Sequence, residues 1–191
     1  SHLVFRVSIG KLNQPTPPLE HSMKHLLLTT IAVLVLVGCN KPSNELLLSA
    51  AESDDLDTVK EQLTRGANIE SKCIGCGGTP LTHAAKTGSI EIAKLLINNN
   101  ANVNPKDKDG DTPLHSSSMN GHLEIIKYLV NKGADLNAKN EGLGATCLHA
   151  ASFSGHEDIV AFLVTKNLDI NATEINGLTP IDLAKLDGHT N

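Results

Sequence analysis

Two sets of residues in this chain have the capacity for chemistry. Cys73-Ile-Gly-Cys76 places two thiols with two residues between them, and His83, His115, His122, His149, His156 and His189 recur further along the chain. Thiols at that spacing serve as a redox pair, as half of a zinc site or as a local disulfide. A zinc site of the usual kind needs two further ligands, and no second C-x-x-C follows. The histidines do not cluster with metal-ligand spacing on any one element, so no metal is expected. Asp54, Asp55 and Asp57 fit a solvated helix cap better than a calcium site. With no G-x-S-x-G, P-loop or H-E-x-x-H in the chain, no enzymatic activity and no cofactor are expected.

The elements that must position these side chains are built from few residue types. Aromatics make up 2% of the 191 residues and Trp is absent, so the core must come from Leu, Ile, Val and Ala, which favours closely packed helices. Setting aside residues 1–38, which hold Arg6, Lys11, Lys24 and Glu20, leaves 13 basic and 20 acidic side chains. That balance argues against nucleic acid as a partner, because phosphate binding needs a basic footprint.

The N-terminal part has no repeat character. Residues 1–22 are polar and Pro-rich, reading as disordered or as sequence upstream of the natural start. From Met23, a short basic stretch leads into an apolar run over residues 26–38, ending at Gly38-Cys39. As a helix that run would span roughly 20 Å, short of the ~30 Å hydrocarbon core of a bilayer. Residues 23–38 thus have the form of a secretory signal. Leu36-Val37-Gly38-Cys39 resembles the lipobox of bacterial lipoproteins. That resemblance implies cleavage before Cys39, lipidation of its thiol, and a lipid-anchored place in the bacterial cell envelope, at the outer membrane or facing the periplasm. Residues 39–44 would then be a linker. In such a setting Cys73 and Cys76 fit a disulfide closing their loop, while free thiols and a redox or metal role stay open.

Beyond the linker the chain repeats itself. Thr79, Thr112, Thr146 and Thr179 are spaced 33, 34 and 33 residues apart, and Gly88, Gly121, Gly155 and Gly188 each lie nine residues further on. Pro80, Pro113 and Pro180 follow their Thr directly, and Cys147 stands in the remaining Pro position. Each Thr suits a helix N-cap and each Pro the first helical position. The second helix of each unit stops at Gly66, Asn100, Gly133 or Asn167, the types that most readily enter the left-handed region. A degenerate unit with Glu45 in the Thr slot precedes these four, and Ser117-Ser118 replace an Ala pair in the third. The chain stops at Asn191, before a second helix for the fifth unit, which fits either a half-cap or a truncated stack.

Thr-Pro-Leu-His at this period resembles the ankyrin repeat. The resemblance covers residues 45–191 and implies an all-α solenoid of paired antiparallel helices with finger loops. In that family His115 and His149 would be structural, bonding the turn around their Thr, and His122, His156 and His189 fall in a recurring Gly-His slot. His83 is displaced by one, because Thr82 takes its place. The family's binding surface lies on the outer positions of the first helices and on the fingers. Here that set is His83, Lys86 and Thr87, then Ser116, Met119 and Asn120, then Ala150, Phe153 and Ser154. Lys86, Met119 and Phe153 share one slot, and an exposed Met beside an exposed Phe would make a binding hot spot. The expected protein is therefore a monomeric, non-catalytic scaffold that holds another protein at the cell envelope. Rival readings are an envelope oxidative-stress or redox factor using Cys73 and Cys76, and a secreted or cytosolic ankyrin effector.

Overall fold

Each unit starts where a backbone donor can be satisfied locally. In a computed structural model, which describes residues 42–166 and 168–189, Thr79, Thr112, Thr146 and Thr179 all take extended backbone at the N-cap, and Pro follows at the first helical position in three of the four units. The helices are α1 (Asn44–Glu52), α2 (Leu56–Thr64), α3 (Pro80–Thr87), α4 (Ile90–Asn98), α5 (Pro113–Met119), α6 (Leu123–Asn131), α7 (Cys147–Phe153), α8 (Glu157–Val164) and α9 (Pro180–Leu186). No strand occurs among the described residues. None of the described helices is long and apolar enough to cross a membrane. Residues 1–38, Cys39 and Asn167 lie outside the described residues.

α1, α3, α5, α7 and α9 stack on one another as an inner row, and α2, α4, α6 and α8 form an outer row. Small side chains set the spacing of the inner row. Ala50-Ala51, Ala84-Ala85, Ser117-Ser118 and Ala151-Ser152 are all buried there, while Ile92, Leu96, Ile125, Ile126, Leu129, Ile159 and Leu163 fill the space behind. Inner helices contact each other more extensively than outer ones, which places the inner row on the concave side of the stack. Gly88, Gly121 and Gly155 turn the chain between the two helices with φ of +83°, +81° and +70°, and Asn100 enters the same region at the end of α4 with φ +66°.

Ser117 and Ser118 replace the Ala pair at a cost visible in the bonding. The Ser117 hydroxyl donates to the Leu114 carbonyl at 3.2 Å, whereas the buried Ser118 hydroxyl has no partner. Tyr128, the chain's single tyrosine, lies half-buried on α6 and reaches back to Asn98 at the end of α4 (3.4 Å), with the Lys132 ammonium 5.5 Å from its ring centre.

The fold begins slightly earlier than the sequence suggests. Ser43 and Asn44, read as linker, belong to it. Ser43 caps α1 by accepting from the Leu46 N–H at 3.1 Å, and its own N–H donates to Gln62 Oε1 at 3.0 Å. Asn44 Oδ1 accepts from the Asn68 N–H at 2.8 Å. At the other end, Leu148, Val160, Val164, Ile170 and Ile181 line an open apolar groove, since no described helix follows α9 to cover α8.

Candidate functional site

The inner row presents its side chains in register because successive units are tied at matching atoms. His122 Nε2 donates to the Lys86 carbonyl at 3.0 Å, and His156 Nε2 donates to the Met119 carbonyl at 3.1 Å. Each histidine also packs against the glycine that ends the preceding inner helix. A Cβ on Gly88 or Gly121 would fall within 2.8 or 2.7 Å of the imidazole of His122 or His156. These histidines set the unit-to-unit spacing of the row that carries Lys86, Met119 and Phe153. All three are exposed, Met119 to 49% and Phe153 to 46%.

The other expected contact residues divide. Thr87 and Asn120 are exposed, but both also bond backward, Thr87 Oγ1 to the His83 carbonyl at 3.1 Å and Asn120 Nδ2 to the Ser116 carbonyl at 2.8 Å. Ser116 and Ser154 are half-buried, and Ala150 is buried. His83, expected on the open surface, is only 8% exposed. The Cys73–Gly78 loop lies against it, with Cys76 Sγ 3.7 Å from His83 Nε2.

That loop follows the plan of every finger in the stack. Five or six residues before each Thr, one residue closes a tight loop with its N–H: Cys73 to the Gly78 carbonyl (2.9 Å), Asp107 to Asp111 (3.0 Å), Asn140 to Ala145 (3.0 Å) and Glu174 to Leu178 (3.1 Å). The side chain at this position then accepts backbone N–H groups. Asp107 Oδ1 takes those of Asp109 and Asp111, Asn140 Oδ1 those of Leu143 and Ala145, and Glu174 Oε1 those of Asn176 and Leu178. This acceptor slot is absent from the sequence reading. Its signal is a polar residue five or six positions before each Thr, with Cys73 as the odd member.

A sulfur in that slot changes the chemistry. Cys73 Sγ lies 3.5 Å from the Cys76 N–H, and Cys76 Sγ lies 3.4 Å from the Gly78 N–H. The Cys76 N–H, helped by the Cys76 thiol, lowers the pKa of Cys73, while burial raises that of Cys76. Burial, followed by the Lys86 ammonium, lowers that of His83 against the opposing pull of Glu52. Both cysteines are free thiols in this structure, and each sulfur lies near a backbone N–H of the turn. The expectation that no metal-ligand spacing falls on one element says nothing of donors brought together from two. Donor atoms of Cys73, Cys76 and His83 all lie within 4.8 Å of one another, because the chain reversal at Gly77-Gly78 folds the finger back onto α3.

The remaining reactive side chains are structural. His115 Nδ1 receives the Thr112 N–H (3.2 Å) and hydroxyl (2.9 Å), while Nε2 meets the Ala145 carbonyl at 3.1 Å. His149 repeats the pattern with Thr146 and the Leu178 carbonyl. In the second unit Thr82 closes the cap instead, its Oγ1 accepting from the Thr79 N–H at 3.3 Å. Cys147 is buried, with its thiol pushed up to about 12 by desolvation, and offers no reactive thiolate. Asp55 caps α2 through the Thr58 N–H at 3.0 Å and hydroxyl at 2.7 Å, which hold its carboxyl below the usual range.

Helix pairs stacked in two rows, with capped threonines, finger loops and an exposed inner face, define a helical-repeat protein built to present a continuous surface. The chain belongs to the ankyrin repeat family, matching it as three copies over residues 47–140 and again over residues 118–164 and 148–191. It is 44% identical over 69 residues to the Arabidopsis thaliana protein named "Putative E3 ubiquitin-protein ligase XBAT34", covering 35% of this chain and 18% of that one. It is 32% identical over 114 residues to a Rickettsia bellii protein named "Putative ankyrin repeat protein", covering 58% of this chain and 16% of that one. The chain thus spans less than a fifth of the length of either relative.

Proposed function

We propose that this protein is a non-catalytic scaffold that binds another protein on its concave face while a lipid at Cys39 anchors it to the bacterial cell envelope. The exposed row of Lys86, Met119 and Phe153 carries the binding part of this reading. Two large, adaptable apolar side chains exposed at equivalent positions of neighbouring units suit a hot spot more than a solvated face. The ankyrin fold supports the same reading, since its units offer a surface and supply no common reaction. Similarity to a protein named as a ubiquitin ligase spans only 18% of that protein and does not extend its activity to this chain. The anchor rests on the lipobox resemblance at Leu36–Cys39 and on the apolar run before it.

Crosslinking from envelope fractions tests the surface. Met119→Ala/Phe153→Ala should reduce recovery of the wild-type partner by about tenfold or more, as loss of about 1.4 kcal/mol or more at a hot spot requires. Its melting temperature should stay within a few degrees of wild type, and equal partner recovery by both proteins would sink the proposed surface. Metabolic labelling with a fatty acid tests the anchor. Label should enter the wild type and not Cys39→Ser. No label in the wild type, or label in both, would remove the anchor from this reading.

A further inference from the structure

We propose that Cys73, Cys76 and His83 form a zinc(II) site with three protein ligands and one position left to water, clasping the finger loop of the second unit to α3. The donors come from two elements that the backbone already holds together, and all three donor atoms lie within 4.8 Å of one another. Zinc–sulfur and zinc–nitrogen bonds of about 2.3 and 2.0 Å in a tetrahedral arrangement put a sulfur and a nitrogen ligand about 3.5 Å apart. Cys76 Sγ and His83 Nε2 stand at 3.7 Å. The remaining separations are within 4.8 Å, against about 3.8 Å for two sulfurs on one tetrahedral zinc, and Cys73 is half-buried on the finger.

Both sulfurs already have supporting donors. Backbone N–H groups of Cys76 and Gly78 point at the two sulfurs, an arrangement that supports thiolate charge beside a cation. His83 is more than nine-tenths buried, yet its Nδ1 has no partner and its Nε2 meets only the Cys76 sulfur. Nε2 has no competing protein partner beside the sulfur and is free to take a metal, while Nδ1 has no supporting acceptor of its own. Cys76 is exposed, which supplies an entry path and room for a water.

The repeat itself does not ask for these residues. The positions of Cys73, Cys76 and His83 are filled in the third unit by Asp107, Asp109 and Ser116, and in the fourth by Asn140, Leu143 and Ala150. Both units build the same finger without sulfur or imidazole. Since Thr82 already closes the local cap, His83 is surplus to the fold's own bonding. Only the second unit brings three zinc-ligating side chains to these three positions together.

The test uses the full chain, reduced and stripped of metal, with cobalt(II) as the optical probe. One equivalent should bind, giving sulfur-to-metal charge-transfer bands and the intense visible bands of tetrahedral cobalt, and zinc should displace it. Cys73→Ser, Cys76→Ser and His83→Ala should each weaken zinc binding by about 100-fold or more, since losing a ligand costs at least as much as losing its outer-shell support. Cys39→Ser and Cys147→Ser should bind as the wild type does. Because His83 is buried, helicity of its variant is checked by circular dichroism; Cys73→Ser, on a finger, tests the site without touching the core. Octahedral cobalt bands, no one-equivalent binding, or equal affinity in Cys73→Ser would each overturn the assignment. So would recovery from cells of a metal-free chain carrying a Cys73–Cys76 disulfide.

Discussion

Leu129→Ala should lower the stability of the stack by about 2–5 kcal/mol, the range for truncating a buried leucine and leaving part of its volume empty. Leu129 is 0% exposed on α6, in the middle of the outer row and within the same apolar cluster as Leu96, Ile125 and Ile126. Its carbonyl also accepts from Lys132 and Ala134 at 3.0 Å each, so the end of α6 hangs on its backbone. Such a loss is a large part of the roughly 5–15 kcal/mol that holds a domain folded. Position makes it worse. Units of a solenoid lean only on their neighbours, and a break at the third leaves at most two intact units on either side, below the three or so that stand alone. Urea unfolding followed by circular dichroism should show an earlier midpoint. Leu143→Ala, at a half-exposed finger position, should change stability by less than about 0.5 kcal/mol. A Leu129→Ala loss under 1 kcal/mol would contradict the packing described above.

The second large effect lies in a histidine that the repeat uses as mortar. His149 is buried, and its removal strands the Thr146 N–H and hydroxyl and takes away the second bond of the Leu178 carbonyl, which keeps only the Glu174 N–H. His149→Ala should cost about 2–4 kcal/mol, from unsatisfied polar groups and lost volume. His149→Thr should cost less, about 1–2 kcal/mol, because Thr82 shows that a threonine in this slot can accept from the preceding Thr N–H. What threonine cannot rebuild is the bond to Leu178 in the next unit, and the difference between the two variants separates the local cap from the inter-unit tie.

The same residue gives stability a pH dependence. Burial, opposed by the Leu178 and Ala172 carbonyls, holds the His149 pKa below its ordinary 6.5. The imidazole takes up a proton more readily in the unfolded chain. Its contribution to stability is therefore complete above pH 6.5 and is lost as pH falls through 6.5 toward the depressed native value. Urea midpoints between pH 5 and 8 should fall on the acid side, with a shallower fall in His149→Thr. A wild-type midpoint that rose on acidification would refute the assignment.

The scaffold was legible in the sequence because its demands are local. A threonine before a proline fixes a cap, a glycine nine residues later fixes a left-handed turn, and an alanine pair fixes the inner row, each within a few residues of chain. The Cys73–Cys76–His83 corner was not legible. Its geometry depends on the finger folding back across Gly77-Gly78 onto α3, and linear spacing puts His83 in a surface slot that this loop covers. The cap at Ser43 was missed for a related reason. The degenerate first unit has Glu45 at the Thr position, and Ser43 works two residues earlier, bracing against Gln62 of the facing helix. The exposure of the inner row was legible only in part: Met119 and Phe153 stand out, while Ser116 and Ser154 are drawn half inside.

Tyr128 gives this stack an internal gauge. With no tryptophan in the chain, its single tyrosine dominates near-ultraviolet emission, and it sits where α4 meets α6 rather than at either end. Helicity averages over every unit, whereas this phenol reports one junction. If outer units peel away before central ones, the ellipticity signal will decay ahead of the fluorescence. The gap between the two curves then measures how unevenly cohesion is shared along the array, with no label attached and no residue replaced.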